Sequence, residues 1–116
     1  MANAFKNYLA QAVGTANTVV YNPTATGIES TIIGMTVSNR IANNISISVT
    51  LSNAANSAQA GANTVYIIKD AVVPAGASIV PIGGDQKVVM EENDFLEVSA
   101  NAASSADVLL SALEIT

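Results

Sequence analysis

The chain has 116 residues, the length of one ordinary domain, and only 11% of them are charged, against about 25% in a typical globular protein. It contains no histidine and no cysteine, which excludes imidazole bases, thiolate nucleophiles, disulfides and the usual zinc ligands. Four basic and nine acidic residues give a net charge of −5, which disfavours nucleic acid as a partner, and the lack of a long apolar run disfavours a membrane span.

The N-terminal segment allows two interpretations. Over residues 4–13, Phe5, Tyr8, Leu9 and Ala12 have helical spacing, but Phe5, Leu9 and Val13 also share one side of an extended chain. Because the rest of the sequence predicts strands, we favour a strand, and residues 1–16 could serve as an N-terminal arm.

Alternating apolar and polar residues predict strands through most of the chain. The clearest is residues 44–51, where Ile45, Ile47, Val49 and Leu51 alternate with Ser46, Ser48 and Thr50. Similar patterns lie at residues 18–21, 31–38, 64–73, 78–82, 86–90, 95–99 and 107–115, and Pro81 marks one of them as an edge strand. Eight or nine short strands without a helix predict one all-β domain over residues 1–116, an antiparallel β-sandwich of jelly-roll or immunoglobulin-like wiring.

Turn residues separate these strands. Residues 39–43 predict a hairpin connection, residues 74–76 a turn with Pro74 at its second position and Gly76 at its fourth, and residues 91–94 a further turn. The uncharged segment 53–63 fits either a flexible hairpin loop or a loop ordered by lying on a neighbouring subunit.

Candidate chemical sites are few. The acidic residues cluster late in the chain, and a solvated turn explains them better than a cation site or a catalytic carboxylate pair; they are Asp85, Glu91, Glu92, Asp94 and Glu97. The glycine-rich segment 83–87 precedes a strand rather than a helix, so a tight turn is favoured over a phosphate cradle. We therefore predict no enzyme and no catalytic, metal or cofactor-binding residue.

Several strands are apolar on both faces, which suggests a second buried surface. In residues 107–115, Leu109, Leu113 and Ile115 lie on one face, and Val108, Leu110 and Ala112 on the other. Since an antiparallel sandwich normally shows one polar face, the second apolar face indicates either a strand central to a thick core or an interface. The predicted interface residues are Phe5, Tyr8, Leu9, Val20, Ile32, Val108 and Leu110.

Motifs along nearly the whole chain carry a family resemblance. The segments 1–8, 13–15, 18–21, 32–35, 66–70, 73–78, 83–89 and 103–116 resemble small virion structural proteins of tailed bacteriophages, of the cyanophage and marine phage type. The resemblance implies an all-β protein made in the host cytoplasm and present in many copies in the virion. Its partners would be copies of itself, as a homo-oligomer, and other virion proteins.

The resemblance leaves two functions open. One is an accessory or decoration protein that acts through contacts between subunits. The other is a neck, tail or fibre component that binds a host receptor or glycan, which would require an exposed aromatic residue beside polar loop residues. Tyr21 with Asn22, and Asn93 and Asp94 with Phe95, come closest to that arrangement.

Overall fold

The computed structural model describes residues 3–53, 63–83 and 85–116. These residues form nine strands: β1 (Asn3–Val13), β2 (Thr18–Tyr21), β3 (Glu29–Asn39), β4 (Ile45–Ser52), β5 (Thr64–Val73), β6 (Ser78–Ile82), β7 (Val88–Glu91), β8 (Phe95–Ala100) and β9 (Ala106–Ile115). No helix occurs within those ranges. Most of the predicted loop 53–63, and Gly84 in the predicted glycine-rich turn, lie outside the described residues.

The strands form two antiparallel sheets. Sheet A has the order β1-β9-β3-β6, with β7 also paired to β3, and sheet B has the order β2-β8-β4-β5. Successive strands mostly alternate between the sheets, and the last strand inserts between the first and the third, which is the wiring of a jelly roll. The predicted all-β sandwich is confirmed, and the wiring selects the jelly roll over the immunoglobulin-like alternative.

The core lies between the two sheets and follows from the period of two in each strand. Sheet A contributes Ile32, Met35, Val37, Val108 and Leu110, and sheet B contributes Ile45, Ile47, Val49, Leu96 and Val98, all at most 3% exposed. Successive residues of a strand point to opposite faces of the sheet, so the residues on either side of a buried residue point outward. This alternation determines which apolar residues remain on the surface.

Local predictions had mixed outcomes. Residues 3–13 form strand β1, which is paired along its length with β9, so the strand interpretation is confirmed over the helical one. Residues 39–43 do not close a hairpin, because β3 lies in sheet A and β4 in sheet B. This corner is instead held by the Asn39 amide, which donates to the carbonyl oxygens of Asn43 and Val73 at 2.8 and 3.0 Å.

Pro74 lies in a turn and Pro81 in a strand. Pro74 occupies the first rather than the second position of its turn, since its carbonyl accepts from the Ala77 amide at 3.0 Å, and Gly76 takes the positive φ of 73° at the third position. The predicted edge position of the strand containing Pro81 is confirmed, because β6 ends the strand order of sheet A.

Two adjacent leucines of β9 test the assignment of inner and outer faces. Leu110 is fully buried and Leu109 is 46% exposed. We expect Leu110→Ala to lower the free energy of unfolding by about 2–5 kcal/mol because it leaves a cavity, and Leu109→Ala to lower it by about 1 kcal/mol or less. Urea denaturation of both variants measures the difference, and equal losses would contradict the assignment.

Candidate interaction surface

The outer face of sheet A carries a row of side chains across four strands, of which three are apolar and one, on β3, is a threonine. Phe5 on β1 lies opposite Leu113 on β9, which lies opposite Thr31 on β3, which in turn lies opposite Val89 on β7. The ends of the row are open to solvent, since Phe5 is 77% and Val89 63% exposed. The row therefore exposes apolar surface on the side of the sheet that faces away from the core.

A second row runs parallel to the first. Leu9 on β1 lies opposite Leu109 on β9, which lies opposite Thr36 on β3. An open groove of about 510 Å³ passes over these three residues, and Leu9 is 71% exposed. Between the rows, Ile33 is the extra residue of a β-bulge in β3, and it lines a second groove together with Phe5. We call the surface formed by Phe5, Leu9, Ile33, Val89, Leu109 and Leu113 the apolar face.

The outer face of sheet B is different, because its two central strands are polar. Ser48 and Thr50 of β4 lie opposite Ser99 and Glu97 of β8. The apolar residues exposed on this sheet belong to its edge strands β2 and β5 and include Val19, Tyr66 and Val72. The sandwich thus has one outer face with a polar centre and one with an apolar centre.

The predicted interface residues divide between the surface and the core. Phe5 and Leu9 lie exposed on the apolar face, so their predicted role in an interface stays a prediction. The structure contradicts the placement of the other apolar members at a surface, because they are at most 8% exposed inside the sandwich; these are Val20, Ile32, Val108 and Leu110. Each lies beside an apolar residue that points outward instead, namely Val19, Ile33 and Leu109. Where both neighbours are apolar, the pattern alone does not show which one faces the core.

Tyr8, the remaining predicted interface residue, is half-buried and belongs to a polar cluster between the sheets. Its hydroxyl donates to the Glu114 carboxylate, and the Tyr21 hydroxyl donates to the same oxygen at 2.7 Å. The Ser30 hydroxyl lies 2.6 Å from the Tyr21 oxygen, and the Lys6 ammonium lies 3.8 Å from the other Glu114 oxygen. We call these five residues the Glu114 cluster, and they join β1, β2, β3 and β9.

Hydrogen bonding determines the charge state of this cluster. Burial acts to raise the pKa of Glu114, but the hydrogen bonds from Tyr8 and Tyr21 and the nearby Lys6 outweigh it, so the pKa lies below its ordinary value of 4.5. Burial and the adjacent carboxylate raise the pKa of Tyr8 to about 12, and burial is also the main cause of the raised pKa of Tyr21. Glu114 is therefore an ionised carboxylate held by neutral hydroxyl donors.

The late acidic residues stabilise the loop between β7 and β8 and its neighbour. The Asp94 carboxylate accepts from the Glu91 amide at 2.9 Å, and the Glu92 carboxylate accepts from the Gly27 amide at 3.0 Å. Among the described residues, no group of three or more acidic side chains is placed to hold a metal ion. In the same residues, no helix is long and apolar enough to cross a membrane.

Two of the residues named for the receptor-binding alternative are buried, and Phe95 is half-buried. Tyr21 is 4% exposed and Asp94 is 2% exposed, so neither presents a ring or a carboxylate to a ligand at the surface. The exposed aromatic residues are instead Phe5 on the apolar face and Tyr66, whose ring lies 5.3 Å from the Lys69 ammonium.

The Glu114 cluster predicts a specific loss of stability in acid. A carboxyl group whose pKa is lowered by folding contributes stability above its unfolded pKa, near 4.5, and loses it as the pH falls through the folded value. The free energy of unfolding of the wild type should therefore fall more steeply between pH 6 and pH 3 than that of Glu114→Gln. Urea titrations at several pH values measure this slope. Glu97→Gln, on the outer face of sheet B, is the control that should keep the wild-type slope.

Comparisons with known proteins identify the fold and no closer relationship. No protein-family model matches the sequence, and no curated protein matches it. Among solved structures, the chain is similar to one from the endospore appendages of Bacillus, a novel family of disulfide-linked pili. The TM-score is 0.51 and the identity 12%, over 99% of this chain and 87% of that one.

A second similar chain comes from a structure of the Gx strain of infectious bursal disease virus. The TM-score is 0.51 and the identity 10%, over 96% of this chain but only 31% of the viral chain. At such identities the likeness shows a common fold. That fold, the two-sheet sandwich described above, is found in a pilus-forming appendage and in a virus.

Proposed function

We propose that this protein is a non-enzymatic structural subunit of a phage particle, an accessory or decoration protein present in many copies. The observation that carries the proposal is the apolar face of sheet A. A lone sandwich in water is expected to show polar residues on both outer faces, whereas here the centre of one outer face is apolar and 11% of the whole chain is charged. Contact with neighbouring subunits would remove this face from water.

The outer face of sheet A, which carries the apolar face together with polar side chains such as Asn7 and Ser111, has dimensions that suit a protein contact. Eleven residues of β1 extend about 36 Å, and four strands at about 4.8 Å each give a width of about 19 Å. The resulting area of about 700 Å² is close to the roughly 800 Å² that each partner contributes to a stable interface. Large side chains such as Phe5, Leu9 and Leu109 would supply the apolar centre of such a contact.

The fold and the composition support assembly through non-covalent contacts. The same fold occurs in a pilus-forming appendage and in a virus. The pili are disulfide-linked, but this chain has no cysteine, so its assembly would depend on burial of apolar surface. Many weak contacts of this kind become strong together when each subunit is held on a particle. The partners would be other copies of the chain and other virion proteins.

A charge placed on the apolar face tests the proposal. Wild-type protein should self-associate with rising concentration, and Leu109→Lys should weaken this association at least about tenfold, since a buried interface disfavours an unpaired ammonium group. Thr50→Lys is the matched control, because Thr50 lies on a central strand of the polar outer face and receives the same charge. Light scattering across a concentration series measures both variants.

The two possible failures of this experiment differ. A wild-type protein that stays monomeric at all concentrations and does not bind phage particles would overturn the structural role. Equal weakening by Leu109→Lys and Thr50→Lys would show that net charge, rather than the apolar face, controls association.

A further inference from the structure

Strand β1 is a long edge strand whose outer side pairs with nothing in the described part of the chain. It ends the strand order of sheet A, and its one paired neighbour there is β9. Residues 3–10 pair with β9 without a break, and the bulge follows only between Ala10 and Val13. A regular edge of this length presents a row of free backbone amides and carbonyls that can bind another strand.

The other edges of the sandwich are less suited to this pairing. Strands β2 and β7 have four residues each, and β6 contains Pro81. Strand β5 is long, but its register shifts twice against β4 and Asp70 has a positive φ of 52°. Short strands, proline, bulges and charged side chains are features by which proteins protect their edges from association. Between Asn3 and Ala10, strand β1 has one of them, the charge of Lys6.

The outward side chains of β1 form a pattern that is symmetric about Asn7. In order they are amide, apolar, amide, apolar and amide: Asn3, Phe5, Asn7, Leu9 and Gln11. If two copies of β1 pair antiparallel with Asn7 opposite Asn7, then Phe5 lies opposite Leu9, and Asn3 lies opposite Gln11. Pairs of aromatic with aliphatic side chains and pairs of amides are favourable neighbours across an antiparallel pair.

The side chains of β1 that face the core are also compatible with the register that places Asn7 opposite Asn7. Ala4 would lie opposite Ala10, and Lys6 opposite Tyr8. Lys6 is the only charged residue of β1, and it already has Glu114 at 3.8 Å within its own subunit. Glu114 therefore partly neutralises the positive charges of the two lysines that approach each other. A pairing shifted by one residue would place the apolar side chains of the two copies on opposite faces of the joined sheet.

We propose that two copies of this protein join through β1, antiparallel about a two-fold axis at Asn7, so that both copies of sheet A form one continuous sheet. The partner is a second copy, because the pattern of β1 is complementary to itself, as a two-fold interface requires. This inference rests on the proposed role as a self-associating subunit and adds the strand and the register of one contact.

A single introduced cysteine tests the register directly, because the chain has none of its own. In Asn7→Cys the two cysteines would face each other, with Cα atoms about 4.5–5.5 Å apart, within the range that a disulfide spans. Gln11→Cys is the matched control on the same strand and face, where the two cysteines would be about 27 Å apart along the strands. Under mild oxidation, we expect Asn7→Cys to form cross-linked dimer at least tenfold faster than Gln11→Cys.

A pair of charge variants provides a second readout. Phe5→Lys with Leu9→Lys places like charges opposite each other in both rows, and should weaken the dimer at least tenfold relative to Phe5→Lys with Leu9→Glu, which places opposite charges there. Within one subunit these two positions are about 13 Å apart along the strand, so the difference between the variants arises between the copies. Circular dichroism checks that both variants fold.

The outcomes separate this proposal from the proposed function. Self-association by light scattering together with equal cross-linking of Asn7→Cys and Gln11→Cys would overturn the β1 pairing and leave the structural role in place. Rapid cross-linking of Asn7→Cys together with full association of Leu109→Lys would support the pairing and overturn the role given to the apolar face. Equal association of the two charge variants would also overturn the pairing.

Discussion

The structure depends on one constraint, namely that a two-sheet sandwich buries only the inner face of each sheet. Strand β9 is apolar on both faces, and it can bury only one of them. Val108, Leu110 and Ala112 fill the core, so Leu109 and Leu113 must point outward. The apolar face is therefore a direct consequence of how the core is filled.

Glu114 continues the inward-facing row of β9 and places a carboxylate where the core ends. A buried carboxylate is costly unless hydrogen bonds satisfy it, and here Tyr8 of β1 and Tyr21 of β2 both donate to it. Since β1 belongs to sheet A and β2 to sheet B, the carboxylate joins the two sheets at their edge. By holding Tyr8 inward, it also directs Phe5, Asn7 and Leu9 outward. The Glu114 cluster thus determines both the position of β1 on the sandwich and which side chains of β1 face outward.

The sequence is sufficient to predict the strands, but not to predict which face of each strand is buried. The alternation in residues 44–51 identifies β4 and its buried side, because the other side is polar. In the pairs Val19–Val20, Ile32–Ile33 and Leu109–Leu110, both residues are apolar, and only the position of the opposite sheet decides which one is buried. The Glu114 cluster was missed because Tyr8 and Glu114 are 106 residues apart in sequence. A lone carboxylate within an apolar strand was the one available signal.

The proposed pairing through β1 and the proposed contact through the apolar face together explain why one outer face of the sandwich is more apolar than the other. An antiparallel pairing of β1 with β1 relates the copies by an axis perpendicular to the sheet, so both apolar faces lie on the same side of the joined sheet. A pair would then present about twice the apolar area to neighbouring subunits of the particle, and each half would hold the other near its site at high effective concentration. The polar centre of sheet B, with Ser48, Thr50 and Glu97, would face water on the opposite side. A polar exterior and an apolar base are the division expected of a subunit that covers a surface.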